Sequence, residues 1–313
     1  MKHRVVALFV LSALGSLLLA GGGRSAGHGS GVIAFTRADG IYAMDVEGSH
    51  VHALMQVSGT AVANIRWLAW SPNGKQLAYW YRGQIWVMNA DGSHDVALVG
   101  RASTLPLDRA LGGPTSPTWS PDGKWIAFTT GAGRPAVTED RALWVMKADG
   151  TDMHRVAGIP APYPAVELAW SPSGTQFAYT RWLWGEGASA IYLMHADGSH
   201  QPGWKAFTSV GANPDWSRDG RRLAFTYRNQ IAVVGASGHG LVRLTSGRAF
   251  SFDPSWSPDG RKIAFVREPA AKAGTSTLMK GSEIYVMNAD GTGVRQLTHD
   301  TVGEASPAWQ PSS

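Results

Sequence analysis

Six copies of one short phrase constrain this chain more than anything else in it. Trp-Ser-Pro-Asp-Gly, or a close variant, begins at Trp70, Trp119, Trp170, Trp216 and Trp256, and a partial copy lies at Trp309-Gln310-Pro311. A second phrase keeps step with the first, as Val46-Glu47-Gly48, Ala90-Asp91-Gly92, Ala148-Asp149-Gly150, Ala196-Asp197-Gly198, Ala236-Ser237-Gly238 and Ala289-Asp290-Gly291. Both are turn chemistry: Pro presets φ, Asp bonds back to its own backbone, and Gly accepts the positive φ that closes a hairpin. The runs between them are short and rich in aromatic and β-branched residues, which suit a pleated, half-buried strand. In the copy from Pro254 to Thr298 the pattern predicts strand A over Pro254 to Trp256, B over Ile263 to Arg267, C over Glu283 to Met287 and D over Val294 to Thr298. A lone sheet of this kind leaves both faces wet and is marginal in water, so it needs its copies.

The copies recur at roughly 40 to 53 residues, the period of a propeller blade. Their phase is informative. The first copy starts at strand B (Val32-Ile33-Ala34-Phe35) and has no strand A, whereas the last, Ser306-Pro307-Ala308-Trp309, has only strand A. Pairing the two completes one blade and removes the open edges. The expected fold is all-β: a six-bladed β-propeller of four-stranded antiparallel blades, closed by the C-terminal strand A completing the N-terminal blade. The composite pattern Pro-x-Trp-Ser-Pro-Asp-Gly-Lys-x-Ile-Ala-Phe, followed by Ile-Tyr-Val-Met-Asn-Ala-Asp-Gly, resembles the WD40-like, or PD40, repeat of the TolB-type β-propellers, over nearly all of the chain after residue 30. The resemblance implies a propeller without the α/β domain that precedes it in TolB proteins.

Residues 1–30 read as a signal peptide and short leader, ahead of a propeller over 31–313. Lys2, His3 and Arg4 form a basic head, Val5 to Ala20 an apolar run and Ala20 to Gly23 a small-residue zone, with cleavage expected between Ala20 and Gly29. The competing reading is an uncleaved anchor, but the run is short for a membrane span. Export implies a periplasmic, cell-surface or secreted protein, with no stable membrane insertion after cleavage. With no Cys, neither a lipid-modified Cys nor a disulfide is available, so stability rests on burial, for which 14 Trp are at hand. Setting aside Lys2, Arg4 and Arg24 leaves 25 basic residues against 23 acidic, without a basic run or stripe. That balance argues against nucleic-acid binding.

Antiparallel geometry puts the A-to-B and C-to-D turns on one face, tight and repetitive. The B-to-C and D-to-A connections lie on the other, which holds every long insertion and is the expected binding face. Because the Trp recurs at one phase, it reads as inter-blade core rather than a sugar platform. Asp91, Asp149, Asp197 and Asp290 each sit alone in a turn, where backbone bonding explains them without a metal. Three residues before each Trp stand Trp67, Ser116, Glu167, Asn213, Asp253 and Ser306, expected at the entry of strand A near the channel mouth. Of these, Trp67, Glu167, Asn213 and Asp253 are the candidates for binding a cation or basic peptide group, against the plain alternative of capping strand entries. A second candidate is the loop-face set Arg181, Trp182, Trp184, Phe250 and Phe252, residue types that anchor partners. Trp182 could instead extend strand B with its ring against a neighbouring blade.

Catalytic signatures are sparse: beyond the leader, where Gly23-Arg24-Ser25-Ala26-Gly27 matches by composition alone, the chain has no Gly-x-Ser-x-Gly, His-Glu-x-x-His or Walker-type phrase. His50, His94 and His200 follow equivalent turns and read as repeat inheritance. The expected function is a non-enzymatic, monomeric exported scaffold for a protein or peptide partner, with no cofactor and no metal. The alternatives are a propeller hydrolase or lyase, or a small-ligand or glycan-binding protein, with the site at the channel mouth.

Overall fold

The turns behave as their composition dictates. In the computed structural model, Ser120, Ser217 and Ser257 each donate Oγ to the Asp Oδ1 two residues on, at 2.6 Å, and accept from the backbone N–H five residues on, at 2.8–2.9 Å. In the companion turns Asp91, Asp149, Asp197 and Asp290 each accept from the N–H and hydroxyl two residues later. Their carboxylates are thus consumed by their own turns, and the serine and threonine hydroxyls hold all four below the usual carboxylate range.

The structure describes residues 31–57, 64–99, 113–130, 142–158, 165–183, 188–199, 208, 210–269, 281–300 and 302–312. They form six antiparallel sheets. The first blade is β1 (Val32–Arg37), β2 (Gly40–Asp45) and β3 (His52–Gln56), joined by β23 (Ala305–Trp309) in the order β23-β1-β2-β3. The second runs β4 (Ile65–Trp70), β5 (Gln76–Tyr81), β6 (Gln84–Asn89) and β7 (Val96–Val99), and the third β8 (Pro114–Trp119), β9 (Trp125–Thr130), β10 (Ala142–Lys147) and β11 (His154–Gly158). The fourth has β12 (Ala165–Trp170), β13 (Gln176–Leu183) and β14 (Ala188–His195), with Thr208 bridged to Ile191 where the outer strand of the other blades runs. The fifth is β15 (Ala212–Trp216), β16 (Arg222–Tyr227), β17 (Gln230–Gly235) and β18 (Val242–Arg243). The sixth is β19 (Phe250–Trp256), β20 (Lys262–Glu268), β21 (Glu283–Asn288) and β22 (Arg295–Gln296).

Closure takes the expected form. Trp309 pairs with Ile33 and Ala308 with Ala34, and the Gln310 N–H donates to Val32 O at 2.8 Å. The sixth blade also grips the first, as Arg295 donates to the carbonyls of Val46 and Glu47 and meets the Glu47 carboxylate at 2.9 Å. Two predicted bounds shift: the innermost strand of the sixth blade is longer than Pro254 to Trp256, starting at Phe250, and the outermost is only Arg295–Gln296. Pairing upstream of Pro254 survives because a bulge absorbs the proline, which has no N–H to give.

The core is six clusters, one at each junction between neighbouring blades. Trp309, Trp70, Trp119, Trp216 and Trp256 are each buried in one of them, and Trp170 packs half-buried against the remaining one. Trp70 and Trp119 also donate their indole N–H to Ala308 O and Ala69 O of the preceding blade, at 3.1 and 3.0 Å. The repeat Trp is therefore the element that joins sheet to sheet.

Candidate functional site

Each innermost strand carries one irregularity at the same place. Pairing slips between Arg66 and Ala69, Thr115 and Thr118, Val166 and Ala169, Ala212 and Asp215, Phe252 and Ser255, and opposite Ala34 and Thr36 in the closing strand. Within each slip sits one residue in the left-handed region: Trp67 (φ 55), Ser116 (54), Glu167 (55), Asn213 (53), Asp253 (58) and Ser306 (49). Such a backbone costs on the order of 1 kcal/mol for a non-glycine residue, so six copies require a compensating interaction.

The compensation is a chain of hydrogen bonds from blade to blade. The Glu167 N–H donates to Ser116 Oγ at 2.8 Å, and the Asn213 N–H to Glu167 Oε2 at 2.8 Å. Asn213 Nδ2 donates to Asp253 Oδ1 at 3.2 Å, and the Ser306 N–H to Asp253 Oδ2 at 3.0 Å. Thr226 Oγ1 donates to Asn213 Oδ1 at 3.1 Å and accepts from the Asp253 N–H at 3.2 Å, which fixes which way the Asn213 amide points. Trp67, with no acceptor to offer, instead sets its ring edge-on to Trp80 at 5.6 Å. These residues were expected at the entry of strand A near the mouth. They lie inside the strand, at its bulge, because the chain upstream of the bulge also pairs.

Five of the six line two cavities at once and so form a waist in the central shaft. On the turn face, expected to be merely tight, a cavity of about 450 Å³ is walled by the repeat tryptophans and by prolines of the turns. On the irregular face a cavity of about 540 Å³ brings the two predicted sets together: Trp67, Glu167, Asn213 and Asp253 form its floor, and Trp182, Phe250 and Phe252 stand around it. Phe250 and Phe252 share a face because they are two apart on β19. Trp182 combines both expectations, extending β13 opposite Ser189 yet leaving its side chain 45% exposed. Arg181 is not part of the set. Strand alternation turns it the other way, buried with its guanidinium 5.2 Å from the Tyr192 ring. Trp184 lies outside the described residues.

Three charged residues escaped the sequence reading. Arg66 and Arg228 line the mouth, the latter from the tight Arg228-Asn229 hairpin. Asp215 lies below the waist and accepts from the Trp256 N–H at 2.7 Å. It had a signal: just before the repeat Trp the other copies read Ala69, Thr118, Ala169, Ser255 and Ala308, so Asp215 is the only charge in that register.

Crowding in the shaft perturbs these acids. Burial pushes Glu167 up to about 7, with Thr180 and the Asn213 N–H opposing and Asp253 adding to the rise. Burial likewise pushes Asp215 up to about 7 against the N–H groups of Trp256 and Trp216, and it raises Asp253 against Ser306 and Arg66. Glu167 and Asp215 line the shaft, so water tempers the energy of their two shifts to about 1–3 kcal/mol each. The native state therefore holds protons that the unfolded chain releases from about pH 4 upward, and stability falls as pH rises from there to about 7. The turn aspartates act oppositely, losing their contribution as pH falls below the ordinary carboxylate range. The melting temperature should peak near pH 4–5 and decline to pH 8. Asp215→Asn keeps an acceptor for Trp256 and should flatten that decline; a variant curve parallel to the parent's from pH 4 to 8 would refute the assignment.

A family model described as PD40, the TolB beta propeller domain, matches residues 134–280. The uncharacterized peptidase YuxL of Bacillus subtilis (strain 168) is 24% identical over 200 residues, 61% of this chain and 27% of its own length, so the chain spans about a quarter of that relative. TolB from Acinetobacter baumannii superposes with a TM-score of 0.67 at 19% identity, over 90% of this chain and 67% of that one. A structure of the nidogen/laminin complex gives 0.68 at 12% identity, over 90% and 99% of the two chains. At these identities the superpositions speak to fold alone. With the repeat phrase running round a closed ring and the family model matched over residues 134–280, the chain is a six-bladed β-propeller similar to the TolB beta propeller family.

Proposed function

We propose that this chain is an exported, non-enzymatic and monomeric scaffold that captures a protein or peptide partner, in the cell envelope or outside the cell, at the mouth of its shaft. Residues 1–30 supply the export signal and 31–313 the propeller. No helix among the described residues is long and apolar enough to cross a membrane. The observation that carries the reading is the cavity of about 540 Å³ on the irregular face, where the exposed Trp182 and the half-buried Phe250 and Phe252 surround a polar floor. Aromatic anchors beside specific polar groups are the usual composition of a binding hot spot. TolB shares this ring shape, and so does a structure of the nidogen/laminin complex.

The competing reading, a metal-centred hydrolase, draws on the peptidase name of the Bacillus relative. The floor favours the scaffold. Asn213 turns its amide nitrogen to Asp253 and its oxygen to Thr226, so it offers the wrong atom to an ion held between Glu167 and Asp253. The test uses Trp182. A photoreactive amino acid in its place should crosslink a discrete partner in native envelope preparations, while one at Asp259, on the turn face, should not. Trp182→Ala should weaken binding of that partner roughly 30-fold, about 2 kcal/mol, with the melting temperature unchanged. Crosslinking from both faces alike would refute the site.

A further inference from the structure

The proposed partner site has a floor whose chemistry selects what may enter it. Glu167 accepts from the Asn213 N–H at Oε2 and from the Thr180 hydroxyl, and Asp253 accepts from Asn213 Nδ2 and from both the N–H and the hydroxyl of Ser306. An ionised carboxylate offers about four lone-pair positions, so both retain acceptor capacity toward the cavity they line. The fixed cation whose field reaches both is Arg66, and its Nε is committed to Asn64 Oδ1 at 2.7 Å. Arg228 stands on the wall with its guanidinium 5.4 Å from the Tyr227 ring. Above the floor, Trp182, Phe250 and Phe252 present aromatic surface.

A ligand that satisfies both levels carries a cation at the end of an apolar stem. A carboxylate or phosphate would meet like charge on the floor, and an aliphatic tip would leave the carboxylates dehydrated and unpaired. An ammonium has three diverging donors, which suits two carboxylates brought from different blades to either side of Asn213. A guanidinium's planar fork is shaped instead for a single carboxylate. Aromatic faces attract the cation and pack against its methylenes. We infer that the mouth cavity takes the lysyl ammonium of an extended peptide segment, its head on Glu167 and Asp253 and its stem against Trp182 and Phe252. The inference rests on the partner-binding role of this face. The burial that raises both carboxyls is also what an arriving ammonium relieves.

Calorimetry on the whole protein with three N-acetylated, C-amidated pentapeptides tests it: the same sequence with Lys, norleucine or Glu at the centre. The Lys peptide should bind about tenfold more tightly than the norleucine peptide, and the Glu peptide most weakly. Glu167→Gln, which keeps an acceptor for Asn213, should erase most of the Lys preference without lowering the melting temperature; Trp182→Ala should weaken the Lys and norleucine peptides alike. Equal binding of Lys and norleucine, a Lys preference that survives in Glu167→Gln combined with Asp253→Asn, or no binding of any peptide at about 1 mM would each overturn the inference. Calcium chloride alone raising the melting temperature of the parent but not of that double variant would also overturn it, in favour of a metal site. Crosslinking at Trp182 is unaffected by these outcomes, so the partner site can stand when the ammonium fails.

Discussion

Arg37→Ala is expected to destabilise the ring by about 3–5 kcal/mol at pH 8 and by clearly less at pH 5. Arg37 ends β1, and its guanidinium bonds Glu304 Oε1 at 3.0 Å and Asp300 Oδ2 at 2.6 Å. It lies 5.3 and 4.7 Å from the ring centroids of Phe35 and Tyr42. Glu304 has no exposed surface and immediately precedes β23, the strand that closes the ring. Burial first, then the fields of Glu283 and Asp300, raise its carboxyl above the usual range. Removing Arg37 takes away the cation among three acids, so the carboxyl of Glu304 rises further. At pH 5 that group keeps its proton and needs no counter-charge; as pH climbs it must ionise unpaired or hold a proton against the solvent. Adding Glu304→Gln to Arg37→Ala should restore most of the loss at pH 8. Denaturant unfolding at the two pH values decides the matter, and an equal penalty at both would mean that only packing had been lost.

Trp119→Ala should cost about 3–5 kcal/mol irrespective of pH, through the cavity it leaves between the second and third blades. Its side chain is 6% exposed among Ile85, Val87, Ile126, Phe128 and Met146, and it bonds Ala69 O across the junction. Trp170 is the informative comparison. Its indole donates to Gly174 O in its own turn at 3.1 Å and its ring is only half-buried, so Trp170→Ala should cost visibly less. Equal losses at the two positions would show that the tryptophans act within their blades rather than between them.

The number of sheets, the order of strands, the turn chemistry and the meeting of the chain's two ordered ends were legible in the residues, because each depends on local preference repeated in phase. A turn of Ser, Pro, Asp and Gly closes the same way wherever it stands, and a repeat that lacks one strand must borrow it from the copy that has one to spare. The waist register was legible too, as six positions three before a Trp, but its geometry was not. Only pairing with the next strand shows that these residues occupy a bulge with a left-handed backbone, held by side chains of the blade beside them. Arg181 illustrates the remaining limit: one step of strand alternation carries it away from Trp182 into the interior, although the two are adjacent in sequence. Arg66 and Arg228 reach one cavity from different blades, and Arg37 meets Glu304 across nearly the whole chain. Such encounters are decided by the curvature that brings the last blade round to the first, and no local pattern records it.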